Sequence, residues 1–369
     1  MAEEDQVLGR RKAIKFATAG AGIATAATVV NAAVNPTIAG AQTTTDIAQG
    51  TGDRTAEIQS ALDNAHNTGG GLVRLEAGNY RISAPGLKIG SHTTLQGEGA
   101  ATILRAADNN FDHVVELRPD SEGSALRDLR IFAAAIAGGV GVFTDLNAAQ
   151  SSGDTPFGGE DSYVLVENVI VHDARSIGVE VGRTINNFHT RGVRLNSVSV
   201  LRTRVGSGFL FRGVDSNIVN CFASNRPNDD GTHGFHITGG NNRLVGCKAF
   251  FNDNDGFRIE GSRSQLSACE GQDNNGDGFR ILAEDVAMSA CTGDSNRLAG
   301  IRLQNSLGIT ADSLVGISRG GGRFAQRFGI LVASTTSNSR LTGIVRANSV
   351  DDLRVISNQN VDTSGVMVA

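Results

Sequence analysis

Tryptophan is absent from this chain. Tyrosine occurs only at Tyr80 and Tyr163, and there are three methionines and four cysteines. Lysine is almost missing too: Lys12, Lys15, Lys88 and Lys248 are all there are, so nearly every cation is arginine. With 47 glycines in 369 residues, this composition excludes a helical enzyme and points to a turn-rich, β-rich chain. A formal net charge of −5 argues against a nucleic-acid partner. No glycine-rich loop follows a strand and opens a helix, so nucleotide binding has no support. No serine nucleophile elbow is present either. The longest apolar run, Phe16 to Val34, is Ala-rich and broken by Thr, Gly and Asn31, too weak for a permanent membrane span.

What the chain does have is a ladder. GFLF, GFHI, GFRI, GFRI and GIRL begin at Gly208, Gly234, Gly256, Gly278 and Gly300, with steps of 26, 22, 22 and 22 residues. Cys221, Cys247, Cys269 and Cys291 keep the same beat. A fixed period of this size marks a stacked repeat. Each unit holds two short apolar alternations broken by Asn, Asp and Gly, with no helical pattern inside. The expected fold is all-β: a right-handed parallel β-helix, a solenoid of roughly ten coils, with an N-terminal capping helix.

One coil shows the logic. In Gly256–Ile259, Phe257 and Ile259 alternate with Gly256 and Arg258, so one pair faces in and the other out. Leu266 and Cys269 anchor a second inward face, and DNNGD turns the chain back. Stacked in register, Phe209, Phe235, Phe257 and Phe279 form an aromatic column and the four cysteines a second. Stacked cysteines could pair, but the ladder alone accounts for their spacing, and buried thiols serve as small hydrophobes.

Arg10-Arg11 precede the weak apolar run, and Ala39-Gly40-Ala41 offers a cleavage site before Gln42. Residues 1–41 resemble a twin-arginine signal, with Ala13-Ile14-Lys15 where Phe-Leu-Lys is common. This implies periplasmic or extracellular localisation and one mature domain over 42–369. Within it, 51–104 form the cap and first coils, and 105–369 the remaining coils. GDRTAEIQSALDNAH reads as a short amphipathic helix with Ile58, Leu62 and Ala65 on one face, started by Asp53 or Thr55 and ended by Gly69-Gly70-Gly71. GDRTAEIQSALDNA, the GGG, LEAGNYRIS and TTLQGEG resemble the N-terminal region of the pectate-lyase-like superfamily. That resemblance implies the β-helix fold; the superfamily holds lyases, hydrolases, epimerases and non-catalytic modules, so it leaves the reaction open.

Polar loops interrupt the coils at Thr144–Ser162, Arg183–Arg191, the NRPNDDGT segment and Ser318–Arg327, and loops on a regular scaffold commonly carry chemistry. Up the GFxI strands the outward residue is Leu210, His236, Arg258, Arg280 and Arg302. Like charges one rung apart repel, so the stack implies something negative along it: local Glu260, Asp255 and Asp277, or a polyanion. His233 and His236, the Asp229-Asp230 loop and Arg258 make a plausible acid/base cluster. HGFHI resembles the YGFDPH segment of mannuronan C5-epimerases at its GF centre. That puts His233 at the tyrosine position and His236 at the aspartate position; the Tyr and Pro are missing. His233-Gly234 and Arg258-Ile259 also resemble the HG and RI of polygalacturonases, whose aspartate triad is absent. NDNDG and NNGDG leave Ca2+ possible but read as Asx turns, and no other cofactor is expected.

The candidate catalytic set is therefore His233, His236, Arg258, Arg280 and Asp230, and the partner an acidic polysaccharide. The arginines would neutralise a uronate carboxylate and a histidine would take the proton beside it, for β-elimination or C5 epimerisation. A non-catalytic glycan-binding or envelope-structural β-helix, or a polygalacturonase-like hydrolase, remain the alternatives.

Overall fold

Alternation at period 2, repeated every 22 residues, produces the β-helix. A computed structural model describes residues 43–108, 112–118, 122–143, 163–182, 190–225, 232–357 and 359–369. The expected export segment, the loop 144–162, residues 183–189, and Asp229 and Asp230 lie outside them. Eleven parallel strands, from Leu87–Ile89 to Asp351–Val355, stack into one sheet, here called the front sheet. That is eleven rungs against the roughly ten expected. A second, twenty-stranded sheet wraps the rest of each coil. No helix among the described residues is long and apolar enough to cross a membrane.

The coils between Arg194 and Asp294 contribute three strands each, not the two read from the alternation, whereas in Leu165–Ala174 and Thr310–Ile317 the second and third run together as one strand. In one three-strand coil these are Phe257–Ile259, Gln265–Ser267 and Glu270–Gln272. The second alternation is split at Ala268, whose φ of 52° turns the chain before Cys269 goes inward. Asn220, Gly246 and Ala290 turn the neighbouring coils in the same way.

The core is columnar. Phe209, Phe235, Phe257 and Phe279 pair strand to strand. Their rings stack nearly parallel, with centroids 4.5, 4.8 and 4.7 Å apart. The four cysteines are free and buried, each thiol donating to backbone carbonyls such as Ile218 O and Leu244 O. Burial raises the Cys247 thiol well above its ordinary range, so it stays a protonated, small apolar group.

A third column is polar. Asn225 Nδ2 donates to Asn252 Oδ1, Asn252 to Asn274, Asn274 to Asn296, Asn296 to Gln326 Oε1, and Gln326 to Asn348. The same side-chain oxygens accept backbone N–H groups of the rung below. An amide is both donor and acceptor, so it can continue such a ladder in both directions.

The helix forms where expected, at Thr55–Asn67, with Ile58, Leu62 and Ala65 buried. Asp53 Oδ1 accepts the Thr55 N–H at 2.8 Å, and Gly70 N–H returns to Ala65 O. The helix covers the first coils, where stacked apolar side chains would otherwise meet water.

Candidate functional site

The outward column of the front sheet reads, in pairing order, Lys88, Glu116, Gly141, Glu180, Leu210, His236, Arg258, Arg280, Arg302, Leu331, Arg354. His236, Arg258, Arg280 and Arg302 thus sit on consecutive rungs, about 4.8 Å apart. A second column lies three residues upstream on each strand: Ser207, His233, Asp255, Asp277, Ala299.

The arginines are held differently. Arg258 Nε lies 2.6 Å from Oε1 of Glu260, just past the end of its own strand. Arg302 Nε lies 3.1 Å from Asp277 Oδ2, one rung below. Among the described residues Arg280 donates only to the neutral Gln304, from NH2 to Oε1 at 3.0 Å. The two arginines expected to meet an anion thus differ in their surroundings: Glu260 pairs with Arg258, and the neutral Gln304 with Arg280.

Glu260 faces both ways. Its other oxygen stands 3.3 Å from His236 Nε2, and the His236 side chain is 24% exposed. Burial lowers the His236 pKa, against the pull of Glu260, so its imidazole is neutral near pH 7. Burial alone would raise the Glu260 carboxyl, but Arg258 and His236 outweigh it and hold it below its ordinary value.

Behind them His233 is buried, its ring centroid 5.2 Å from that of His236. Burial, aided by nearby His236 and Arg258, pushes its pKa down to about 3. His233 Nδ1 lies 3.6 Å from Asp255 Oδ2, beyond a hydrogen bond. The two buried aspartates support the next rung: Asp255 Oδ1 accepts Asp277 N–H, and Asp277 Oδ1 accepts Ala299 N–H. Burial raises both, Asp277 to about 7 against the opposing pull of Arg302.

Four of the five expected site residues thus lie on one face, and Asp230 lies outside the described residues. The NDNDG and NNGDG runs are spent on structure: Asn252 and Asn274 in the amide ladder, Asp255 and Asp277 on backbone N–H groups. Asp253 accepts from Asn275 at 3.1 Å. Among the described residues, no group of three or more His, Cys, Asp or Glu is placed to hold a metal ion.

One cluster escaped sequence reasoning. Buried His113 Nε2 lies 3.2 Å from Glu180 Oε2, and Glu180 Oε1 lies 2.6 Å from Arg212. Glu180 occupies the outward position of its rung; the alternation GVEVG signalled that much, but not its partners on two other coils. Burial works to raise the Glu180 carboxyl, and His113 and Arg212 outweigh it. A hollow of about 870 Å³ lies elsewhere again, between the helix and the first two rungs, lined by Asp53, Gln59, Asp63, Lys88, Glu116 and Arg118.

No family model matches the chain. Mannuronan C5-epimerase AlgE6 of Azotobacter vinelandii is 26% identical over 207 residues, 54% of this chain and 23% of its own length. Its A-module has a solved structure that superposes with a TM-score of 0.68 at 17% identity, covering 87% of this chain and 96% of the module. Alginate lyase 7 of the same organism is 27% identical over 209 residues, 52% of this chain and 22% of its own length. The enzymatically active domain of tailspike protein 2 of bacteriophage CBA120 superposes equally well, at 0.68 and 13% identity, over 86% of this chain and 50% of that one. The chain spans only 11% to 34% of the lengths of the curated relatives it matches. At these identities the superpositions establish the fold. Fold, repeats and sequence matches agree: the chain is a parallel β-helix, similar in sequence to mannuronan C5-epimerases and an alginate lyase.

Proposed function

We propose that the protein is a carbohydrate-active enzyme that removes the C5 proton of a uronate in an acidic polysaccharide. The observation that supports this most is Glu260, placed between a neutral, part-exposed imidazole and a guanidinium. A sugar lying on the face puts its carboxylate toward Arg258 and its C5–H toward His236. His236 Nε2 faces Glu260, so Nδ1 is the nitrogen left to accept the proton. On protonation, the imidazolium draws Glu260 to itself. Arg258 then turns its charge to the enolate forming on the substrate carboxylate, where it is needed most. The electron pair at C5 either expels the 4-linked sugar, whose oxygen takes the proton from the His236 imidazolium and leaves a 4,5-double bond, or takes a proton from water on the opposite face and inverts C5.

Relatives named as an alginate lyase and a mannuronan C5-epimerase lend the uronate class support. The test is incubation of the purified protein with alginate, polygalacturonate and glycosaminoglycans in deuterated water. Absorbance of an unsaturated product reports elimination, and deuterium at C5 reports epimerisation. No deuterium and no absorbance on any acidic glycan would sink the enzymatic reading. Binding without either would favour a glycan-binding β-helix, a reading the fold shared with the tailspike keeps in view. The same reading takes residues 1–41 as an export signal, tested by fractionating cells that carry Arg10→Lys with Arg11→Lys. Normal export of that precursor would refute the twin-arginine route.

A further inference from the structure

Arg280 stands between two arginines that each have a carboxylate partner. Arg258 has Glu260, two residues along the chain, and Arg302 has Asp277 on the rung below. Two residues along from Arg280 comes Leu282, which offers nothing. Arg280 instead reaches one rung up to Gln304. Among the described residues it has no carboxylate within ion-pair distance, and its Nε is buried without a hydrogen-bond partner. Glutamine and glutamate have nearly the same shape. The difference at this position is that Gln304 accepts a hydrogen bond from Arg280 without cancelling its charge. A guanidinium can only donate, so Gln304 must turn Oε1 toward it, which leaves Nε2 as a further donor.

We infer that Arg280 and Gln304 form a carboxylate subsite, one rung beyond the sugar that meets His236 and Arg258, and that Gln304 sets its preference for anionic over neutral sugars. The inference rests on reading the column as a uronate-binding face. Asp255 and Asp277 act on Arg280 only through the field, without an ion-pair contact; a carboxylate there would take the free Arg280 donors and Gln304 Nε2 and give it that contact. A neutral sugar has only hydroxyls and would leave the guanidinium without a carboxylate in contact. Gln304 acts here as a positioning and specificity residue, not a catalytic one.

The test follows the Arg280 Nε–H resonance by NMR while sodium D-glucuronate or methyl glucoside is added to the full chain. Glucuronate should shift it and methyl glucoside should not. Gln304→Glu keeps the shape but neutralises Arg280, so glucuronate affinity should fall at least tenfold with the melting temperature nearly unchanged. Gln304→Leu loses only the positioning and should weaken binding less than Gln304→Glu. A merely structural Gln304 would give the reverse order, or none. An Arg280 signal unmoved by glucuronate, or a Gln304→Glu protein that binds it as tightly as the parent, overturns the inference. Turnover of a polyuronate is scored separately. Glucuronate binding without turnover leaves the subsite standing and sinks the enzymatic reading; turnover with an unmoved Arg280 does the opposite.

Discussion

At the scale of single residues, the site is a set of charges whose burial is only partly compensated. His236 is the one imidazole both neutral and part-exposed on the column, so His236→Ala should lower turnover about 10²–10⁴-fold with a smaller change in substrate affinity. Unchanged kcat would move the base elsewhere, with the His113–Glu180–Arg212 cluster next to examine. Because the His236 pKa lies below the ordinary 6.5, the acid limb of a kcat profile should fall below that value. A limb at or above it would contradict the burial. Buried neighbours also set opposing pH dependences of stability. Asp277 titrates near 7 folded and 3.8 unfolded, so between these the native state binds the extra proton and stability drains as pH rises. His233 titrates near 3 folded and 6.5 unfolded, so over that window the unfolded state binds the extra proton and stability grows as pH rises. The two slopes oppose each other across their shared range. Asp277→Asn should leave the His233 slope uncovered, and urea midpoints should then rise more steeply from acid to neutral pH than in the parent. Parallel curves for the two proteins would refute the assignment.

At the scale of strands and columns, stability comes from repetition. Phe257 is fully buried between two stacked rings, so Phe257→Ala should cost about 3–5 kcal/mol in denaturant unfolding. A change under 1 kcal/mol, roughly a surface effect, would mean the ring is not in the column. Asn274 is a sharper case. Its amide donates to Asn296 Oδ1 and Ala249 O, and its oxygen accepts from Asn252 Nδ2 and the Asn252 N–H. Asn274→Asp keeps the acceptor, loses both donations and buries a charge, so it should destabilise more than Asn275→Asp, whose side chain is only part-buried. Equal urea midpoints for the two variants would argue against an internal ladder. The Phe and Cys columns were legible because an apolar residue recurring every 22 positions has one structural explanation. The amide ladder was not, since Asn within NDNDG and NNGDG looks like any turn asparagine. The third strand was hidden for a related reason: its inward residues are Ala249, Gly271 and Gly293, too small to make an alternation visible. The His–Arg column of the site could be read from register alone. Its pairings could not, because Glu260, Gln304 and Asp277 are told apart only by which rung a flexible arginine leans toward.

At the scale of the whole molecule, a solenoid transmits little along its axis, because each coil touches only its neighbours. The helix and the candidate site sit at different heights on the front sheet: Lys88 and Glu116 form its first two rungs, His236 to Arg302 the sixth to ninth. Damage at one should not reach the other. Leu62→Ala removes a buried side chain under the helix and should cost about 2–5 kcal/mol locally. Amide exchange should then quicken in Gly71–Leu75 and Leu87–Ile89, which pack on the helix, and stay unchanged from Phe235–Ile237 to Ala299–Leu303. An oligouronate should give the complementary pattern, slowing exchange on those upper rungs and leaving the first two alone. The pattern follows from the charges: the upper rungs carry Arg280, which has no carboxylate within ion-pair distance among the described residues, whereas Lys88 and Glu116, paired in register, are of opposite sign. Added salt should erase the ligand's effect, since it rests on ion pairing at a part-exposed face. Protection concentrated at the hollow beside the helix would place the sugar chain at the wrong end of the sheet and remove the His–Arg column from consideration as the binding face.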